Sequence, residues 1–288
     1  MKKQSALSKS IVIIGGNGQM GQLFTKYWQN TGAIVSSIGR NNWNEAPKLI
    51  GKADLVIICV PIHDTCDIIT RACQFIRPDT ILADFTSLKQ PIIENMQKSF
   101  SGPVLGLHPM FGPTISSPKN QVIINCGGRN TDKSAWVINS LLEIGFTIRT
   151  MPAHEHDTAM SFIQGIEHFS TFALGSFLKQ QGIHPQELFG LASPIYQAKL
   201  ALLGRIFYQD ANLYADIIMS DDKRIELIEM YIKHMQNWLE KLKSRQRDEF
   251  ITEFNATGKW MGDFTLQGQL ASDKFLTEVS NSFKIRTK

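Results

Sequence analysis

The sequence has no long apolar run. Its purely apolar stretches, such as Ile11–Ile14, are short, and none nears the roughly 20 residues a membrane helix needs. The segment from Met1 to Ser10 is polar and carries lysines, but no apolar core of a signal peptide follows it. Cysteine is scarce: Cys59, Cys66, Cys73 and Cys126 form no CxxC pair and no ribbon spacing. That argues against a disulfide scaffold or a structural zinc site, and it fits a reducing cytoplasm. There is no dense Lys/Arg run with interleaved aromatics, and the net charge is only +4. Nucleic acid is therefore disfavoured as a partner, while a small anionic substrate is compatible. Internal repeats and low-complexity tracts are also lacking.

What the chain has is enough material for a core. Of 288 residues 43% are hydrophobic and 19% charged, which excludes a disordered chain and suits two domains of ordinary size. The first half alternates β-branched runs with helix-like segments. Strands are expected at Ile11–Ile14, Ile34–Ile38, Leu55–Val60, Thr80–Asp84, Pro103–Leu107, Gln121–Asn125 and Thr147–Thr150, with a helix at Gln19–Asn30. Runs apolar on both faces point to a parallel sheet covered on both sides. Beyond about Met151 the periodicity is helical. The stripe Ile225, Ile228, Ile232, Met235 and Leu239 recurs at three- and four-residue steps and is expected to pack in a core. The boundary is expected near Pro152, giving domains 9–152 and 153–288.

Gly16-Asn17-Gly18-Gln19-Met20-Gly21 is a GxGxxG run between the first strand and the first helix. Gly16 permits a tight turn and Gly18 lets backbone approach a pyrophosphate. Gly21 lets the helix pack close to the strand, and the helix N-terminus faces the anion. The expected fold is an α/β N-terminal Rossmann-like doubly wound parallel sheet plus an all-α C-terminal domain. The second strand ends in Gly39-Arg40-Asn41, with no carboxylate to repel a 2′-phosphate. Arg40 could pair with that phosphate, which favours NADP over NAD.

A more specific signature is Gly106-Leu107-His108-Pro109-Met110-Phe111-Gly112. With it stand Val60-Pro61-Ile62-His63, Ser87-Leu88-Lys89, His156-Asp157, Ser193-Pro194-Ile195-Tyr196, Gly204-Arg205 and Tyr214-Ala215-Asp216-Ile217-Ile218-Met219. On these residues the chain resembles the prephenate dehydrogenase family from about Ile11 to about Phe264. It resembles most the dehydrogenase part of the bifunctional chorismate mutase/prephenate dehydrogenases. No mutase-like helical segment precedes the first strand, so a dehydrogenase alone is expected. The resemblance implies oxidative decarboxylation of prephenate. The ring C4–H leaves as hydride to the nicotinamide, the ring carboxylate leaves as CO2, and 4-hydroxyphenylpyruvate forms.

Such chemistry needs a group to take the ring hydroxyl proton and a cation for the ring carboxylate. By the resemblance His108 is the catalytic histidine, and Ser87 hydrogen-bonds it and the substrate hydroxyl. Ser87 would otherwise be a helix N-cap. Arg205 binds the ring carboxylate, and His168, His156 and Lys89 lie near the substrate. If one helix carried both His156 and His168, they would sit ~18 Å apart along it and serve different parts of the site. Val60 and Pro61 join Gly16, Gly18, Gln19, Met20, Gly21, Gly39 and Arg40 as the cofactor set. His154-Glu155-His156 is not a HExxH zinc motif, and no metal is assigned. The family's C-terminal helices interlock two subunits, so a homodimer is expected, with Trp238, Phe254, Trp260 and Phe264 as candidate anchors.

The chain also departs from the pattern. Gln197 and Glu167 stand where close relatives carry arginines, and Lys199 lies two residues from the first, on a different helix face. Arogenate, whose amino group would welcome a carboxylate, and 4-amino-4-deoxyprephenate are therefore rival substrates. A β-hydroxyacid dehydrogenase would carry a lysine with an asparagine four residues on. Lys179 and Lys199 are followed at that step by Ile183 and Leu203. A non-catalytic NADP sensor would need neither His108 nor Arg205.

Overall fold

The computed structural model describes residues 6–282 and divides the chain into two compact units, Met1–Met160 and Ser161–Lys288. In the first unit the order is β1 (Ser10–Ile14), α1 (Gln19–Asn30), β2 (Ile34–Ile38), α2 (Ala46–Ile50), β3 (Leu55–Ile58), α3 (Ile62–Cys73) and β4 (Ile81–Asp84). It continues with α4 (Gln90–Ser99), β5 (Val104–Pro109), β6 (Val122–Arg129), α5 (Ala135–Ile144), β7 (Thr147–Thr150) and α6 (Ala153–Met160). Short 3-10 turns stand at Arg40–Glu45 and Thr131–Ser134.

The seven strands form one sheet in the order β2-β1-β3-β4-β5-β6-β7. Successive side chains of a strand leave on opposite faces. Accordingly Ile11 and Ile13 enter one core with Phe24, Trp28 and Phe85, while Val12 and Ile14 enter another with Ile69, Ile92 and Met96. Both faces are covered, as the unbroken apolar runs require.

One strand departs from the parallel expectation: β6 runs antiparallel to β5, and β7 then pairs parallel with β6. The segment between β5 and β6 carries Pro113 and Pro118 and no helix, so the chain turns back beside β5 instead of crossing over. Pairing with β6 carries β5 two residues past its expected end, to Pro109. A register shift opposite Gly106 and Leu107 leaves Cys126 as the extra residue of a bulge. His108 is thus a strand residue just beyond an irregularity.

The expected boundary at 152/153 falls before α6, yet α6 belongs to the first compact unit. Its His156 and Asp157 bond to β5 and to the start of α4.

In the second unit a π-helical turn, Ser161–Ile166, leads to α7 (Glu167–Gln180), α8 (Pro185–Phe189), α9 (Pro194–Phe207), α10 (Ala211–Ile218), α11 (Asp222–Lys243), α12 (Arg247–Met261) and α13 (Phe264–Ser282). Asp210 and Asp221 cap α10 and α11 by accepting from Asn212 N–H and Arg224 N–H. The buried apolar cluster of this unit is small, with Leu178, Leu200 and Leu203 at its centre. The core expectation for the α11 stripe is not met: Ile228 is buried, but Met235 and Leu239 are 44% and 48% exposed. Among the described residues no helix is long and apolar enough to cross a membrane.

Candidate active site

Strand order reverses at β1, because β2 departs to one side and β3 to the other, and that is where open α/β sheets bind ligands. The glycine turn lies at this point. Gly15, which the motif count passed over, has φ +87° and donates to Ile38 O, and a Cβ there would sit 2.1 Å from Cys59 O. A Cβ on Gly21 would meet Gly15 O and Gly16 Cα at 2.6 Å, so only glycine allows α1 this close to the turn.

Gly18 is the residue before α1, whose first turn holds no acidic side chain, leaving its N–H groups and dipole to an anion. A cavity of about 430 Å³ opens beside it, lined by Gly15, Gly18, Gly39, Arg40, Val60 and Pro61 among others. These features fit a dinucleotide: a glycine cradle for the pyrophosphate and an apolar wall of Ile14, Ile38 and Ile68 beyond. Of the expected cofactor set, Gly16, Gln19, Met20 and Gly21 belong to the turn and to the start of α1 and are not part of that lining. The sequence reading missed three groups on the cavity. Arg71 lies 4.0 Å over the Trp43 ring, and Asp64 takes Arg40 Nη2 at 3.5 Å. Arg40 itself is 91% exposed on the rim.

β1, β3, β4 and β5 run parallel, so the C-terminal end of β5 shares a sheet edge with the glycine turn. His108 stands there, buried. Its Nδ1 lies 2.8 Å from His156 Nε2, and His156 Nδ1 lies 2.8 Å from Asp157 Oδ1. The Asp157 carboxylate also accepts from the N–H groups of Lys89 at 2.9 Å and Gln90 at 2.8 Å, which open α4. Burial pushes the Asp157 carboxyl up, but these hydrogen bonds outweigh it and hold it below the usual carboxylate range. His156 is fully buried with both ring nitrogens engaged, which leaves no ring nitrogen for the substrate contact expected of it.

Lys89 corrects its expectation in the same way. It is fully buried, its Nζ pairs with Asp84 Oδ2, and it donates to Leu107 O at 2.8 Å. A lysine so enclosed holds the ends of β4 and β5 together and does not face a substrate. Ser87 is half-buried in the loop between β4 and α4, and among the described residues it makes no hydrogen bond with His108.

The second unit holds the other expected groups. Arg205 is exposed near the end of α9, and its charge opposes the effect of burial, which raises the Tyr214 hydroxyl. The Tyr214 ring meets His168 edge-on at 4.9 Å. Burial holds the His168 imidazole below its usual range, Glu167 opposes this, and the buried Arg224 adds to it. Arg224 lies against Gly165 of the π turn, where a Cβ would come within 2.8 Å of its Cγ. Gln197 is turned inward, donating to Phe189 O at 3.2 Å, and Lys199 is exposed.

Residues 29–144 match the nucleotide-binding domain of prephenate dehydrogenase, and residues 152–256 match its dimerization domain. The chain is 38% identical over 274 residues to the T-protein of Enterobacter agglomerans, spanning 95% of this chain and 73% of the relative. The chain belongs to the prephenate dehydrogenase family. A second member, the T-protein of Haemophilus influenzae, is 38% identical over 271 residues, 94% of this chain and 72% of the relative. The fold of the family is seen in prephenate dehydrogenase from A. aeolicus in complex with hydroxyphenyl propionate and NAD+. That structure superposes with a TM-score of 0.70 at 16% identity, covering 87% of this chain and 96% of the other. This family is an oxidoreductase family, and its sheet and glycine cradle give this chain an NAD(P)-binding domain.

Proposed function

We propose that this chain catalyses the NAD(P)-dependent oxidative decarboxylation of prephenate to 4-hydroxyphenylpyruvate, a step of tyrosine biosynthesis. The observation that carries the reading is a buried histidine at the end of β5, on the sheet edge that holds the dinucleotide cradle. NAD(P)+, held by the glycine turn at Gly15 and Gly18, would supply the acceptor for the hydride of ring C4. His108 takes the proton of the C4 hydroxyl as that hydride leaves. Loss of CO2 then makes the ring aromatic and places negative charge on the same oxygen, and His108 returns the proton to it. No proton is gained or lost overall. Arg205 meets the ring carboxylate, which keeps that group ionised until its electrons pass into the ring. Ser87, in the loop between β4 and α4, offers its hydroxyl to the substrate's C4 hydroxyl.

Arg40 on the cavity rim favours NADP, while Asp64 beside it is a carboxylate that a ribose hydroxyl could use. The working assembly is a homodimer. Matched to a dimerization domain, the second unit leaves Trp260 82%, Phe254 69% and Phe264 67% exposed, more apolar surface than one chain covers. Light scattering that gives a concentration-independent monomer would remove this part. The four free thiols fit a reducing cytoplasm.

Product analysis tests the reaction. Incubation with prephenate and NAD+ or NADP+ should yield 4-hydroxyphenylpyruvate and CO2 in equal amounts. A second reading rests on Glu167, a carboxylate in the first turn of α7 beside His168. On that reading arogenate is the substrate, and tyrosine would form from it while prephenate stays unchanged.

A further inference from the structure

We propose that Asp157 and His156 are positioning residues that fix His108 in its Nδ1–H tautomer, leaving Nε2 as the atom that takes the substrate proton. This rests on the reading of His108 as the base. Asp157, at the far end of the chain of contacts, has no choice of role. Three donors converge on the Asp157 carboxylate: His156 Nδ1 at 2.8 Å and the N–H groups of Lys89 and Gln90. A backbone N–H can only donate, so Asp157 serves as acceptor throughout. His156 Nδ1 therefore carries the hydrogen. A neutral imidazole has one donor and one acceptor, so His156 Nε2 is an acceptor. The 2.8 Å contact between His156 Nε2 and His108 Nδ1 then requires the hydrogen on His108 Nδ1. His108 is left with its lone pair on Nε2.

The arrangement is rigid. His156 is fully buried and His108 nearly so, with the rings 5.0 Å apart at 69°. Asp157 is anchored to the start of α4, and Lys89 holds Leu107 O, the carbonyl before His108. When His108 becomes positive, the charge faces His156 Nε2 and, beyond it, a carboxylate that stays where it is. That stabilises the imidazolium without a second proton transfer.

The other ionisable groups on the elements around the relay are paired, raised by burial, or turned to solvent. From β4 and the start of α4 come Asp84 and Lys89, already paired. From β6 comes Cys126, its thiol pushed up to about 12 chiefly by burial. Cys59, following β3, is pushed up to about 12 by burial and then by Asp84. On α6 itself His154 and Glu155 are exposed.

The test uses the full chain. In wild type, ¹⁵N NMR of the imidazoles should show His108 protonated at Nδ1 and bare at Nε2. In Asp157→Asn the amide can donate to His156, which reverses both rings and puts the hydrogen on His108 Nε2. Turnover should fall about 100-fold or more, given that the equivalent change in a serine-protease triad costs about 10⁴. KM for prephenate and the Kd of NADP should stay within about threefold, because the Asp157 carboxylate is turned to His156 and to the start of α4. The acid limb of the kcat/KM profile should move to lower pH, since losing the anion lowers the affinity of His108 for a proton. Asp157 also anchors α4, so His156→Gln, which touches no α4 amide, should repeat the loss of kcat with the fold intact by circular dichroism.

Wild-type kcat and an unmoved pH profile in both variants would overturn the relay while leaving His108 as base. A wild-type spectrum with the hydrogen on Nε2 would overturn it directly. An enzyme inactive on every cyclohexadienyl substrate but showing the expected tautomer would remove the reaction and keep the relay.

Discussion

Replacing Lys89 by methionine should destabilise the protein without selectively weakening substrate binding. Methionine keeps the length and most of the volume, so packing changes little. What is lost is the pair with Asp84, both side chains fully buried, and the hydrogen bond to Leu107 O. What remains is a buried carboxylate. Asp84 Oδ2 keeps the Thr86 N–H at 3.0 Å and the Thr86 hydroxyl, but Oδ1 has no hydrogen-bond partner among the described residues. Breaking one side of a buried pair costs about 3–5 kcal/mol. For a unit of this size each kcal/mol moves the melting temperature by about 2–4 °C, so a fall of roughly 10 °C is expected. Differential scanning fluorimetry and urea melts would read it. The double variant Lys89→Met with Asp84→Asn should recover more than half of the loss, because the uncompensated charge has gone. If Lys89→Met melted with the wild type and instead raised KM for prephenate, the lysine would face the substrate after all.

Three further outcomes follow from the same structure. Arg205→Gln should raise KM for prephenate about tenfold or more, the worth of a charge-assisted hydrogen bond to a carboxylate, with the Kd of NADP unchanged by fluorescence titration. Arg40→Ala should weaken NADP about tenfold and leave NAD within about twofold, as read by the ratio of their KM values. His168 has a lowered folded-state pKa from burial, so the unfolded chain binds its proton more readily. Stability should therefore fall as pH drops below the unfolded value of about 6.5. Urea melts from neutral pH downward should show a smaller acid loss in His168→Gln, and an identical loss would rule out this histidine as the source.

Much of the first unit was legible because its physics is local. Strands buried on both faces must be apolar throughout, and a turn that packs a helix on its own backbone needs glycine at Gly21. The helix Gln19–Asn30 and the strands at Ile34–Ile38 and Thr147–Thr150 were placed to the residue. The direction of β6 was not legible from periodicity, which reports faces and not polarity. The two prolines between β5 and β6 were the available sign that no crossover helix stands there.

At the site, residue types were legible and burial was not. Lys89 and His156 read as polar groups for a ligand. Their actual partners are Asp84 and Leu107 O for Lys89, and His108 and Asp157 for His156; Asp157 in turn reaches the Lys89 N–H across 68 positions of sequence. Asp157 stood beside His156 in a matched dipeptide, and an acid next to a site histidine was the signal. The α11 stripe shows the complementary limit. Periodicity finds an apolar face but does not tell whether the same chain covers it, and here Met235 and Leu239 remain exposed.

The central claim is that this chain removes a hydride from C4 of prephenate with His108 as the base. The direct measurement is the rise of reduced-nicotinamide absorbance with prephenate, for wild type and for His108→Asn, each with NAD+ and with NADP+. The wild type should turn over, faster with NADP+, and His108→Asn should lose turnover while NADP still binds. Full turnover by His108→Asn, or no reduction of either nicotinamide by the wild type, would contradict it.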